Sequence, residues 1–162
     1  MDWVFGDLPL HPLVVHLTVV LIPIAALTLV LAAVWPAARR RLGLLPPILA
    51  LIALVLVPIT TAAGTWLADR VGRTPLVDRH EDLGNSMLPW VIAMFVAAVA
   101  VWAWHKFFTK ATGRVRLVGS VVLAVAAIAI AAGSVVTIVQ IGESGATAVW
   151  TGNFSEDPVP AP

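Results

Sequence analysis

The chain has 162 residues, 60% of them hydrophobic and 12% charged, with a mean hydropathy of +0.96 and a net charge of +1. Soluble domains carry roughly 25% charged residues, so this chain lacks the polar surface to cover itself in water. Ten basic against nine acidic side chains exclude the basic excess of a nucleic-acid binder, and the absence of cysteine excludes disulfides, iron–sulfur ligation and c-type haem attachment.

Charged residues divide the chain into four uncharged runs of 31, 27, 23 and 26 residues, bounded by Asp7 and Arg39, Arg41 and Asp69, Asp82 and Lys106, and Arg116 and Glu143. A membrane helix needs about 20 apolar residues. Each run holds one span and none holds two. The predicted spans are Pro12–Trp35, Pro46–Leu67, Met87–His105 and Leu117–Ile141. Pro23 and Pro58 fall inside the first two and are expected to kink them. Trp35, Trp102 and Trp104 fall at one expected interface, Trp66 and Trp90 nearer the other.

The fold expected is an all-α membrane protein, four helices in an antiparallel bundle forming one domain over residues 1–152. Residues 153–162, with three prolines and two acids, read as a disordered outer tail. The loop after the first span carries Arg39, Arg40 and Arg41, and the third loop carries Lys106, Lys110, Arg114 and Arg116. Together these are seven of the ten basic residues, which places both loops in the cytoplasm and both termini outside. The start is acidic and the positive cluster follows the first span, the reverse of a cleaved signal peptide. The fourth span is rich in small residues, with Ala127–Ala131 and Ala129–Gly133 spacings that suit close helix contact. That contact is expected within the bundle, or alternatively at a homodimer face.

Polar residues converge at the outward end. His11 and His16 open the first span, and Thr60, Thr61, Thr65 and Asp69 line the end of the second. Arg79, His80 and Glu81 precede the third, and Gln140 and Glu143 close the fourth. His11 and His16 lie about 140° apart on a helix, and Pro12 makes His11 a lead-in ahead of the helix. His16 and His80 differ in depth by about 10 Å, a gap that a folded loop would close and a straight helical extension would not. Three readings stay open. A haem b would take axial imidazoles from His16 with His80 or His11, and its propionates would meet Arg70, Arg73 or Arg79. A zinc, copper or iron ion would take His11, His16 and His80 with Asp69 or Glu143. Otherwise the groups form a hydrogen-bond network tying helix ends together. The span interiors hold no ionisable group between His16 and His105, which argues against an ion pathway or a coupled transporter.

The string His11-Pro-Leu-Val-Val-His16 carries a resemblance, together with Thr-Ala-Ala-Gly64-Thr-Trp-Leu-Ala-Asp69, His80-Glu-Asp-Leu-Gly84 and Ile141-Gly-Glu-Ser-Gly145. In this order the motifs resemble a prokaryotic membrane family catalogued as domain of unknown function 2231. The resemblance implies a multi-pass protein of the prokaryotic plasma membrane. It points to His11, His16, Gly64, Asp69, His80 and Gly84 as the positions to carry over. Relatives are sometimes joined to cytochrome c-like or Rieske-type domains, which implies a redox setting. Where relatives often have a histidine in the closing glycine segment, this chain has Glu143. Two functions are therefore expected. One is a haem- or metal-linked redox component with a site at His11, His16, His80, Gly64 and Gly84. The other is a non-catalytic accessory subunit of a respiratory or other membrane complex.

Overall fold

A computed structural model describes residues 2–108 and 113–155. Two short strands, β1 (Val4–Phe5) and β2 (Leu8–Pro9), pair antiparallel across Gly6, whose φ of 60° suits a glycine turn. Six helices follow: α1 (Leu10–Val34), α2 (Pro36–Leu42), α3 (Leu45–Val71), α4 (Pro75–Asn85), α5 (Met87–Phe107) and α6 (Gly113–Trp150). Four apolar stretches, in α1, α3, α5 and α6, are long enough to cross a membrane. α1 packs against α3 and α6, and α5 against the same two helices, so the four close a ring. α1 and α3 run through Pro23 and Pro58 as single helices.

The core is built of Ile22, Ala25, Leu29, Ala53, Val91, Met94 and Ala127, all sealed from the surface. The outer faces keep Val121, Val122, Val125 and Ile128 exposed. Hydrocarbon solvates such side chains, so the exposed apolar surface costs nothing in a bilayer. Buried hydroxyls bond back along their own helices: Thr18 donates to the Val14 carbonyl, Thr28 to Ala25 and Ser134 to Ile130. Among the described residues no buried side-chain polar atom lacks a partner, as a membrane interior demands.

Some of the small residues of α6 pack inside the bundle, while Ala129 and Ala132 are exposed. Ala127, Ala131 and Ser134 are buried. A Cβ on Gly133 would stand 2.1 Å from the Trp90 indole, and one on Gly119 would stand 2.2 Å from that of Trp104. Trp90 is therefore a packing residue seated on a glycine.

Three expectations need correction. The segment expected as a loop before the third span is helix α4. Thr74 caps it by accepting from the Val77 N–H at 3.3 Å, Pro75 fills its first turn and Asp78 meets its positive end. α4 runs into α5 with an interruption only at Ser86, where Pro89 offers no N–H to the Asn85 carbonyl. Second, α1 begins at Leu10, so His11 stands inside its first turn and is no lead-in. Third, α6 continues nine residues past Ile141 to Trp150. Of the expected tail, residues 153–155 are exposed and the rest lies outside the described residues.

Candidate functional site

The end of the bundle holding the N-terminal hairpin and the close of α6 brings two histidines together. The His11 and His80 ring centroids lie 6.2 Å apart with their planes at 79°. The His11 Nδ1–H donates to the Thr60 carbonyl of α3 at 2.9 Å. That ring lies on Gly64, one turn later, where a Cβ would come within 2.9 Å of Cε1. His80 repeats the arrangement against α6. Its Nδ1 meets the Ser144 Oγ at 3.0 Å, and its ring lies on Gly145, where a Cβ would again come within 2.9 Å of Cε1.

These partners settle the tautomers. A carbonyl only accepts, so His11 carries its proton on Nδ1. The Ser144 hydroxyl donates its own proton to the Ile141 carbonyl at 2.9 Å, so it too accepts from His80. With the proton on Nδ1, the neutral form of each imidazole keeps an unprotonated Nε2, the form in which histidine binds a metal. Burial holds His80 below the ordinary histidine range. The nearby His11 adds to the depression, and the Ile141 carbonyl opposes it.

Beneath the pair, the hydroxyls of Thr18 and Thr60 lie 2.9 Å apart, and Thr60 also donates to the Leu56 carbonyl. Beside it, Arg73 clasps three carboxylates: Asp69 at 2.9 Å, Asp78 at 3.2 Å and Glu81 at 2.9 Å. Thr65 donates to the other Glu81 oxygen at 2.6 Å. The Glu81 carboxyl is held below its usual range by the Thr65 bond first, and by Arg73 as well. This clasp fixes α4 over the end of α3. A groove of about 360 Å³ between α4 and α6 is lined by Arg79, Gln140, Glu143, Ser144 and Thr147.

Several residues singled out in the sequence stand apart from the pair. His16 is exposed, with Nδ1–H donating to the Pro12 carbonyl of its own helix. Asp69 is engaged by Arg73 and exposed. Glu143 is exposed on the groove. A Cβ on Gly84 would meet only the Thr61 methyl, at 3.8 Å, so Gly84 makes no room beside His80. Among the described residues no three His, Asp or Glu side chains are grouped to hold a metal ion. Of the arginines considered for propionates, Arg70 lies over the Trp66 ring at 3.7 Å and Arg73 is committed to the carboxylates. Arg79 lines the groove and forms no ion pair among the described residues. Sequence reasoning missed Ser144 and Gly145 as partners of His80. Their signal was the Thr60–Gly64 spacing repeated at Ile141–Gly145.

The fold defines a class: a multi-pass membrane protein with a buttressed histidine pair at one end of its helices. The chain belongs to the family described as a predicted membrane protein, domain of unknown function 2231 (DUF2231), which matches residues 7–158. No curated protein and no solved structure matches the chain.

Proposed function

We propose that this protein is a redox component of the plasma membrane of a prokaryote, with its termini outward, in which His11 and His80 would hold a haem b. The separation of the two imidazoles carries the reading. Two rings ligating one metal through Nε2 at about 2.0–2.1 Å would hold their centroids about 6.4 Å apart, and the observed separation is 6.2 Å. The donor set fits as well. Each Nδ1–H is already bonded to a protein acceptor, as metal-bound histidines are. When bound, a haem supplies one-electron chemistry.

The chain's own residues have defined tasks. Thr60 and Ser144 fix the tautomer and plane of each ring. Gly64 and Gly145 let the rings lie on the helices. Arg73 holds α4, and with it His80, against α3. Arg79 on the α4–α6 groove is the cation left to receive a propionate.

The test is an oxidised and reduced optical spectrum of protein purified from haem-supplemented cells. A Soret band with sharp reduced α and β bands is expected. It should be lost in His11→Ala and in His80→Ala and kept in His16→Ala. A folded protein without these bands overturns the haem assignment and leaves the polar contacts as a structural clasp.

A further inference from the structure

The opposite end of the bundle carries a second feature. All nine acidic residues fall within 2–7, 69–82 and 143–157, so the segments 8–68 and 83–142 contain none. The turns of this end lie in those two segments, and they hold seven of the ten basic residues. Among the described residues, every ion pair lies at the histidine end, around Arg73. Among the described residues, the basic end therefore has cations and no carboxylate to neutralise them.

Three of these cations, Arg39, Arg40 and Lys106, line a cavity of about 210 Å³ between α2 and α5. Arg39 forms one wall. Its Nε donates to the Ala32 carbonyl at 2.6 Å and an Nη to Ala33 at 3.0 Å, which closes the end of α1 and fixes the guanidinium in place. Burial lowers the Arg39 pKa, and so do Arg116 and Arg40, the mark of crowded and uncompensated positive charge. Arg40 and Lys106 stand at the exposed rim, and the Lys106 ammonium lies 4.9 Å from the Trp102 ring centre. The floor is apolar, made by Leu29 and Val101 of the core. A cationic rim over an apolar floor, at the depth of an interfacial tryptophan, matches a molecule with an anionic head and a hydrocarbon body.

We propose that this cavity binds the phosphate group of an anionic phospholipid from the adjoining leaflet. Arg40 and Lys106 contact the phosphate, Arg39 supplies a fixed charge behind it, and acyl methylenes cover the apolar floor. A free phosphate ion offers the same charge and none of the apolar contact, so the lipid is the ligand favoured.

The test is binding of phosphatidylglycerol to the full chain in mild non-ionic detergent at about 0.15 M salt. Retained lipid is read by native mass spectrometry and the thermal midpoint by unfolding. Phosphatidylcholine and inorganic phosphate serve as parallel arms. Phosphatidylglycerol should be retained and raise the midpoint, while neither other addition does so. Arg40→Gln with Lys106→Gln should weaken binding about 30-fold, from about fivefold per basic contact. Arg40→Gln alone should weaken it about fivefold, while Arg41→Gln, an equal single-charge loss at an exposed position outside the cavity, should change it less than about twofold. Equal weakening by Arg41→Gln would show only diffuse attraction and overturn the site. Equal retention of phosphatidylcholine would overturn it too. A full midpoint shift from inorganic phosphate alone would overturn the lipid assignment.

Discussion

Replacing Gly145 by alanine separates a glycine that seats a histidine from one that merely occupies a helix. The new Cβ would stand 2.9 Å from His80 Cε1 and 3.3 Å from Nδ1. Carbon atoms settle at about 3.5–4.0 Å, so the ring must retreat by about 0.6 Å or more. That retreat stretches the 3.0 Å contact with Ser144 beyond hydrogen-bond range. Overpacking of this kind costs about 1–3 kcal/mol, and alanine's helix preference over glycine returns about 1 kcal/mol. The net loss expected is about 0–2 kcal/mol. Gly142, one turn earlier on the same helix, has nothing within 4 Å of a Cβ, so Gly142→Ala should gain up to about 1 kcal/mol. The assay is the thermal midpoint of both variants in one detergent, paired with the reduced-minus-oxidised spectrum. Gly145→Ala should melt below Gly142→Ala and lose or shift the α band, while Gly142→Ala keeps it. Equal behaviour of the two on both readouts would refute the role given to Gly145.

Gly133→Ala forces the Trp90 indole off a contact of 2.1 Å, and a rigid ring has no easy retreat. It should cost about 1–3 kcal/mol of packing, less the about 1 kcal/mol that alanine's helix preference returns, in thermal unfolding without touching either histidine. The depressed His80 pKa gives an acid-sensitive fold. The folded state binds less proton than the unfolded one, so stability is full above the ordinary histidine value of about 6.5 and falls as pH drops below it. A midpoint series from about pH 8 to pH 5 should show this slope in the wild type and a shallower one in His80→Gln. Arg73→Gln releases Asp69, Asp78 and Glu81 together. Amide hydrogen exchange in α4 should accelerate, with the cores of α1 and α5 unchanged.

The spans were legible because charge is so costly in hydrocarbon that its absence marks them. The same rule hid the ends. In the sequence Glu143 closes the fourth span at Ile141, yet a helix need not stop where the membrane does, and Ser144 and Gly145 lie in its continuation. α4 carried readable signals in Thr74, Pro75 and Asp78, but its mixed polarity made it resemble a loop between two apolar runs. The choice between His11 and His16 turned on which face of α1 meets α3. Helical geometry puts the two on different faces without saying which one is packed. Gly84 drew attention by standing four residues from His80, whereas the glycine under that ring comes from a helix 65 residues further along the chain. No spacing within a single segment reports such a pairing.

The histidine pair also bears on the direction of traffic. Below His11 lie the Thr18 and Thr60 hydroxyls, and below these the sealed apolar core of Ile22, Ala25, Leu29, Val91 and Met94. Among the described residues, no ionisable side chain stands in that core to pass a proton toward His105. A charged species crossing it would meet a desolvation cost that the two hydroxyls could not offset. An electron moving to or from a centre held there needs no aqueous path, whereas an ion crossing the bundle would. For the function proposed above, the dryness of the core beneath the pair therefore favours electron exchange over transport across the bundle.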